Sequence, residues 1–186
     1  MPRLPDPDLE EKILNAAQKL WKKGGEKALT MRAVAKAAGT NTPSVYRRFR
    51  DRNDILRGLL QRIRHEIAAL LDDALSVEEG CERYLDYALR HPREYELFYQ
   101  NEHKLFRSAR AVQRPGREAI KRKLMERFGG SGTNQAQIQL ALWMVAHGAA
   151  MLLIAKTLLP EEVEKVRAVF TKAVATLLRE GQSHGG

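Results

Sequence analysis

The sequence predicts an all-α protein of about nine helices, because apolar residues recur every three or four positions along most of its length. No segment of useful length shows the strict alternation of apolar and polar residues that is typical of a half-buried strand. Glycine, proline and helix-capping residues divide the apolar stripes into separate segments. The 186 residues suffice for one large domain or two small ones.

The first helix is predicted from an apolar stripe that begins at Ile13 and reaches Trp21. Gly24 and Gly25 follow it and are the expected stop, since glycine favours helix ends. A long fourth helix is expected after Asp51, because aspartate is a favourable N-cap and an apolar stripe follows. These two helices would brace the segment between them.

Two short helices are predicted in that segment. Thr30 stands where an N-cap is expected, and a glycine ends the second helix after two turns. Asn41 is the expected N-cap of a third helix over residues 42–49, whose inward positions are best filled by Val45 and Phe49. Two short helices joined by a tight turn that contains glycine form a helix-turn-helix arrangement.

Five further helices are expected after residue 76, with breaks at Pro92, in the loop at 131–133 and at Pro160. The last one is expected to end near Arg179. Residues 138–155 carry no formal charge, and 18 residues is the lower limit for spanning a bilayer. Because glutamine, histidine and glycine interrupt this run, we interpret it as a buried helix and expect no membrane partner.

The chain is strongly basic, with 32 Lys+Arg against 23 Asp+Glu and a net charge of +9. Such an excess favours partners with negative charge. The basic excess lies in two segments. Residues 1–57 hold 13 basic and 7 acidic side chains, and residues 104–127 hold 9 basic and 2 acidic ones. The single cysteine, Cys81, allows no internal disulfide, so we expect a reducing cytoplasm and a buried thiol that acts as a small hydrophobe.

The third helix leaves a polar outer surface once Val45 and Phe49 are turned inward. Hydroxyl groups suit phosphate oxygens, and a guanidinium suits phosphates or the O6 and N7 edge of guanine. A solvated helix face is the alternative, but the surrounding three-helix context favours contact with DNA. The side chains left on or near this surface are Thr42, Pro43, Ser44, Tyr46, Arg47 and Arg48.

The segment ILNAAQKLWKKGGEKALTMRAVAKAAGTNTPSVYRRFRDRNDIL resembles the DNA-binding domain of TetR-family transcriptional repressors. The apolar first helix, the LT-x-R entry, A-x-x-AG and PSVY-x-x-F occur in the family's order. The resemblance implies a DNA-binding domain over 7–67, with its helix-turn-helix over about 30–49, and a C-terminal domain over 68–182 that binds an effector and dimerises. The run LWMVAHGAAMLL also resembles a Trp-x3-His-Gly motif seen in one branch of the family.

The resemblance also implies roles for single residues. Thr30 would face a phosphate and Arg32 could reach a base. Thr42, Pro43 and Arg47 would face bases, whereas Ser44, Tyr46 and Arg52 would contact the phosphate backbone. Thr40 departs from the family, which usually has an aliphatic residue there. Arg47 and Arg48 stand where aromatic or histidine residues are frequent in the family. The expected DNA-binding residues are Thr30, Arg32, Asn41, Thr42, Pro43, Ser44, Tyr46, Arg47, Arg48 and Arg52.

The C-terminal body is expected to dimerise and to bind a small molecule. Two apolar helices, over about 134–159 and 160–179, would form a four-helix interface with their copies in a second subunit. Aromatic residues at helical spacing are more often core than ligand contacts, so only part of the following set is expected to line a pocket. The candidates are Tyr84, Tyr87, Tyr95, Phe98, Tyr99, Phe106, Trp143, His147 and Met151.

His147 is expected to be a satisfied core or interface histidine, because no second His or Cys stands at ligand spacing. Neither a metal nor a cofactor is expected. The basic residues 104–127 are interpreted as a solvated helix face with loops. The alternative is that they attract an anionic effector, such as an acyl-coenzyme A, to the mouth of a pocket.

The sequence therefore predicts a homodimeric repressor that binds a palindromic operator and is released by a hydrophobic or amphipathic effector. A non-specific DNA-binding protein is the alternative, but coating DNA does not require such an apolar C-terminal body. An enzyme is disfavoured, because no Gly-rich phosphate loop, metal-ligand spacing, nucleophile elbow or paired-carboxylate motif is found.

Overall fold

The structure is a computed structural model that describes residues 6–105, 115–129 and 133–183. All the regular secondary structure in these ranges is α-helical, which confirms the all-α fold class. In chain order the helices are α1 (Leu9–Ala28), α2 (Met31–Ala37), α3 (Thr42–Tyr46), α4 (Arg52–Asp72), α5 (Val77–Arg90), α6 (Pro92–Leu105), α7 (Pro115–Phe128), α8 (Thr133–Ile154) and α9 (Pro160–Ser183).

The chain divides into two compact units. Of the described residues, the first contains 6–63 and 93–105, so α6 belongs with α1, α2, α3 and the beginning of α4. The second contains 64–92, 115–129 and 133–183, which include the end of α4 together with α5, α7, α8 and α9. Helix α4 therefore contributes to both units.

Helix α1 differs from its sequence-based prediction at its C-terminal end. The expected break does occur at Gly25, whose φ of 58° and ψ of −143° are not helical. The helix resumes after this kink, however, and ends at Ala28. The predicted third helix is also shorter than expected, because α3 ends at Tyr46 and residues 47 and 48 form a turn.

The first unit is held together by side chains that join α1 to the start of α6. Glu94 is only 2% exposed, and its Oε1 accepts a hydrogen bond from Gln18 Nε2 at 2.7 Å. Lys22 Nζ lies 3.2 Å from the same oxygen. The indole Nε1 of Trp21 donates to the carbonyl oxygen of Arg93 at 2.7 Å. Because a buried carboxylate is costly without partners, this cluster fixes the register of α6 on α1.

In the second unit, α8 packs against α5, α7 and α9. Basic residues of α7 bind the C-terminal end of α4, where helix carbonyls have no intrahelical partner. Lys123 Nζ donates to the carbonyl oxygens of Asp72 at 3.1 Å and Ala74 at 2.5 Å. Arg122 forms an ion pair with the Asp72 carboxylate, and Arg127 pairs with Glu78 at 2.7 Å. Part of the basic stretch at 104–127 thus stabilises the chain's own helix ends.

Helix α8 is less buried than the sequence predicts. By length and composition, its segment Gln135–Ile154 could cross a membrane, but only 28% of the most apolar window is buried within this chain. Core helices of proteins outside membranes pass the same test, so this is weak evidence for a span. Within the single chain, α8 is therefore not the buried helix that the sequence predicts. Its large exposed apolar side chains are Leu140, Trp143, Met144 and Leu152.

Candidate nucleic-acid interface

Helices α2 and α3 begin at the two N-caps that the sequence predicts. The Thr30 hydroxyl oxygen accepts a hydrogen bond from the Ala33 amide at 3.1 Å. The Asn41 side-chain oxygen accepts one from the Ser44 amide at 2.9 Å. Each cap satisfies a first-turn amide that has no partner within its helix. These bonds confirm the predicted starts of the second and third helices.

The turn between α2 and α3 is a Schellman motif. Gly39 adopts a left-handed φ of 68°, a conformation that costs glycine little. Its amide donates to the Lys36 carbonyl at 3.3 Å, and the Thr40 amide donates to the Ala35 carbonyl at 3.0 Å. These two bonds satisfy carbonyl groups at the end of α2. The backbone of Thr40 therefore closes the turn, although its side chain departs from the family's usual aliphatic residue.

The inward positions of α3 are those that the sequence predicts. Val45 is fully buried and Phe49 nearly so. On the opposite side Pro43, Tyr46 and Arg47 are exposed, with Tyr46 exposed by 54%. A short helix with one buried edge and one exposed edge is suited to enter a major groove. The exposed edge therefore forms a candidate reading surface, and the exposed Arg32 of α2 belongs to the same unit.

Ser44 differs from its prediction. It is only 6% exposed, so its placement on the outer surface of α3 is wrong. Its hydroxyl oxygen accepts a hydrogen bond from Arg47 Nη2 at 2.6 Å. The reason is that residues three apart are neighbours on a helix, so Ser44 lies under the Arg47 side chain. Thr42 is half-buried at the start of the same helix.

Two other predicted contact residues have partners that are distant in sequence. Arg48 Nη2 donates to the Asp6 carbonyl oxygen at 3.3 Å, which joins the end of the helix-turn-helix to the segment before α1. Arg52 Nη2 contacts Glu26 twice, at 3.0 Å through its carbonyl oxygen and at 2.9 Å through its carboxylate. Sequence reasoning missed Asp6 and Glu26, because no local pattern marks partners 42 and 26 residues away.

The N-terminus of α4 is fixed next to these arginines. Asp51 Oδ1 accepts a hydrogen bond from the Asp54 amide at 2.8 Å, which confirms the predicted cap. Hydrogen bonds from the Arg50 amide and from the Arg57 side chain hold the pKa of the Asp54 carboxyl below its usual value. A carboxylate in the first turn also complements the helix dipole. Arg52 thus extends from a rigid helix start.

The predicted pocket residues fall into both units. Tyr95, which is fully buried, and the half-buried Phe98 and Tyr99 lie on α6 in the first unit, with ring centroids of Tyr95 and Tyr99 5.6 Å apart. Tyr84 and Tyr87 are buried on α5 in the second unit. The Tyr87 hydroxyl donates to Glu66 Oε2 at 3.0 Å. Phe106 lies outside the described residues.

The remaining candidates lie on α8. Trp143 is 49% exposed and stacks on the His147 ring, with centroids 5.3 Å apart and planes within 7°. Met151 is half-buried on the same helix. Desolvation lowers the pKa of His147, which favours its neutral imidazole. Within the described ranges, no group of three or more His, Cys, Asp or Glu side chains could hold a metal ion.

The sequence predicts that α8 takes part in a dimer interface, but it does not show which residues of α8 the single chain leaves exposed. Leu140, Met144 and Leu152 are exposed and four or eight residues apart, which places them along one side of the helix. Gly148 occupies the position between them and is exposed too. Val169 is exposed on the neighbouring helix α9. The four-residue spacing was visible in the sequence, but nothing there showed which side the chain itself would cover.

These features define a helix-turn-helix protein with an exposed recognition helix, attached to a separate helical unit. Comparison with known families agrees. Residues 13–59 match the family model described as bacterial regulatory proteins, tetR family. Residues 77–177 match the model for the tetracyclin repressor-like C-terminal domain. The chain belongs to the TetR family of bacterial transcriptional regulators, which confirms the resemblance found in its sequence.

Similar proteins cover nearly the whole chain. An uncharacterized HTH-type transcriptional regulator of Mycobacterium tuberculosis, Rv0681, is 26% identical over 95% of this chain and 84% of its own length. A structure of a protein of unknown function from Rhodococcus sp. RHA1 is 24% identical, covers 97% of this chain and 98% of its own, and has a TM-score of 0.73. The structure of the regulator SCO7222 from Streptomyces coelicolor, described as a TetR, is 19% identical, covers 95% of this chain and 99% of its own, and has a TM-score of 0.72. At these identities the two structures show the fold alone.

Proposed function

We propose that this regulator is a repressor that binds a palindromic operator as a homodimer and is released by a small hydrophobic or amphipathic effector. The observation that carries this proposal is the solvent-exposed edge of α3, where Pro43, Tyr46 and Arg47 project from a capped and buried helix. The proposed base contacts are Arg32, Thr42, Pro43 and Arg47. Thr30, Tyr46 and Arg52 supply donors for phosphate oxygens, Arg52 from the positive end of α4.

The exposed apolar side of α8 supports the homodimer. Monomeric proteins rarely expose a contiguous set of large apolar side chains. An open groove of about 250 Å³ lies beside this seam, between α8 and α9, and among its lining residues are Ala149, Leu152, Val166 and Phe170. A second copy of α8 and α9 would cover both the seam and the groove. Two subunits would also supply two recognition helices for half-sites about 34–36 Å apart.

The proposed effector is a small organic molecule. A TetR variant from Acinetobacter baumannii, 16% identical to this chain, was solved in complex with minocycline, which supports a small-molecule effector here. The buried aromatic residues Tyr84 and Tyr87 of α5, in the second unit, favour a molecule with a large apolar part. Effector binding would favour conformations whose two recognition helices no longer match the half-site spacing, and would thereby lower operator affinity.

An acyl-coenzyme A is one effector class to test, because Arg117 and Lys121 are exposed on α7. Arg122 is less suited to an incoming anion, since it already pairs with Asp72. Charge reversal of Arg117 and Lys121 should weaken binding of an acyl-coenzyme A severalfold, because each cation would attract its phosphates. Unchanged affinity in both variants would exclude this role for α7.

The decisive experiment is selection of bound DNA from a random pool, followed by footprinting of the selected sequence. A palindromic site protected by two subunits is expected, and release by candidate effectors can then be screened on that site. A steep salt dependence with no selected sequence would instead indicate a non-specific DNA-binding protein. Turnover of a small molecule by the purified protein would contradict the proposal that it is not an enzyme.

Point variants separate the proposed contacts. Tyr46→Ala should weaken binding on all sequences, because its hydroxyl is assigned to the phosphate backbone. Arg47→Ala should weaken binding and also relax the preference for one base pair in each half-site. Equal losses on selected and random DNA in both variants would contradict the assignment of Arg47 to a base.

A further inference from the structure

The two consecutive arginines at the end of α3 are directed to different partners. Arg47 Nη2 donates to the Ser44 hydroxyl at 2.6 Å, so this guanidinium stays on the recognition helix. Arg48 Nη2 donates to the Asp6 carbonyl oxygen at 3.3 Å, so the neighbouring guanidinium lies towards the segment that precedes α1. Both arginines are exposed and carry the same chemistry, and their partners therefore distinguish them.

The Ser44 hydroxyl is a well-ordered hydrogen-bond acceptor for the flexible side chain of Arg47. Ser44 is 6% exposed, and its amide donates to the Asn41 side-chain oxygen at 2.9 Å. The backbone on both sides of it is helical. An arginine side chain loses substantial rotamer entropy when it is held in one geometry. A hydrogen bond to a buried hydroxyl removes part of that loss before DNA binds, which is preorganisation.

The bond leaves Arg47 able to read a base. A guanidinium has five N–H donors, and one Nη2 donor is used by Ser44. The donors that remain can still approach two acceptors in one plane, as the O6 and N7 atoms of guanine require. A serine hydroxyl is neutral, so the positive charge of Arg47 is also retained. Guanine, which presents these two acceptors in the major groove, is the base that a guanidinium pairs with most often.

We propose that Ser44 is a positioning residue that makes Arg47, rather than Arg48, the arginine that determines base specificity. This inference rests on the proposed operator binding. It replaces the phosphate contact that the sequence assigns to Ser44 with an indirect role through Arg47. Arg48 acts as a structural link to Asp6.

The test measures base discrimination on the operator obtained by selection. Dissociation constants are determined for that operator and for variants with each base pair changed, using the wild type, Ser44→Ala, Arg47→Ala and the double variant. Arg48→Ala is the matched control, since it removes the adjacent guanidinium. Arg47→Ala should reduce discrimination at one G·C pair per half-site by about 5- to 150-fold.

Ser44→Ala should reduce discrimination at the same base pair by about 2- to 10-fold, the expected effect of losing one hydrogen bond. The double variant should match Arg47→Ala alone, because Ser44 has no effect without Arg47. Ser44→Thr, which keeps the hydroxyl, should restore most of the discrimination. Because Arg48 is itself a predicted DNA contact, Arg48→Ala is compared by its pattern of base discrimination and not by its affinity, and that pattern should equal the wild-type pattern.

Several results would overturn the inference while leaving the proposed function intact. An equal loss of affinity on every sequence in Ser44→Ala would assign Ser44 to the phosphate backbone. Additive effects in the double variant would show that Ser44 does not act through Arg47. A loss of discrimination in Arg48→Ala would show that Arg47 is not the arginine that determines base specificity. If the wild type selects no sequence at all, the proposed function fails instead.

A measurement on the unmodified protein keeps the inference testable if Ser44→Ala does not fold. The Nε–H order parameters of arginine side chains report their mobility on the picosecond to nanosecond timescale. Arg47 should be more ordered than Arg32, an exposed arginine of α2. Equal mobility of the two guanidinium groups in the free protein would contradict preorganisation by Ser44.

Discussion

The Glu94 carboxylate at the start of α6 is bound by the Gln18 amide of α1, with 2.7 Å between Oε1 and Nε2. The other end of the same amide accepts a hydrogen bond from Arg62 of α4, at 3.4 Å. Gln18 thus connects three helices of the first unit through one planar group. A side chain with both a donor and an acceptor at fixed separation is required in this position.

Gln18→Ala should destabilise the protein by about 1–3 kcal/mol, because it removes a donor from a buried carboxylate. The free energy of unfolding from urea titration, at constant protein concentration, measures the loss. Lys19→Ala is the control, since Lys19 is the adjacent residue and is exposed. It should change stability by less than about 0.5 kcal/mol. Equal stability of the two variants would show that the contact with Glu94 contributes nothing net.

Met144→Glu should convert the proposed dimer to a monomer without unfolding it. Met144 is exposed on the α8 seam, so a charge there costs little in one chain but would be desolvated in the dimer. Sedimentation velocity over a range of concentrations measures the change in association. Met125→Glu is the control, because Met125 is also an exposed methionine but belongs to α7, which is not one of the two helices proposed to form the interface. If Met144→Glu associates like the wild type, the interface lies elsewhere.

Cys81 should be unreactive in the native protein. Burial raises the pKa of its thiol to about 12, so almost no thiolate exists at pH 8. Alkylation by iodoacetamide should therefore be slow in buffer and rapid in denaturant, as followed by mass spectrometry. Because the thiol is also inaccessible, the native reaction should stay far slower than the reaction in denaturant throughout the range from pH 7 to 9. Fast labelling under native conditions would show that α5 opens readily.

Asp54→Asn should reduce stability at pH 7 by about 0.5–1 kcal/mol, a modest value because solvent screens this partly exposed group. The carboxyl pKa is lowered in the folded state, first by the hydrogen bond from the Arg50 amide and then by Arg57. Its contribution is therefore fully present above the usual pKa of about 3.8 and is lost as the pH falls through the lowered value.

The measurement for Asp54→Asn is the free energy of unfolding of both proteins between pH 7 and pH 3. The two curves should converge as the pH falls below about 3.8, since the wild-type carboxyl then becomes protonated. Asp73→Asn is a suitable control, because Asp73 is an exposed aspartate near the other end of α4. A difference between Asp54→Asn and wild type that stays constant down to pH 3 would point to altered packing instead.

Local chemistry made much of the fold predictable. Thr30 and Asn41 form the helix caps that their residue types favour, and Gly39 adopts the left-handed conformation of a helix end. Val45 and Phe49 are buried as their spacing requires. Each of these features depends on residues within about four positions, where helix geometry fixes which side chains can meet.

The sequence by itself thus determined the helical class, the helix-turn-helix and the membership of the family. Only the tertiary structure decided that α6 belongs to the first unit and that Ser44 is buried. It also decided that Arg47 binds Ser44 whereas Arg48 binds Asp6. Glu94 and Gln18 are 76 residues apart, and no periodic pattern connects positions at that separation. The physical reason is that a repeat of three or four residues shows which sides of a helix are apolar, whereas the neighbours that cover each side are set by how the chain folds back on itself.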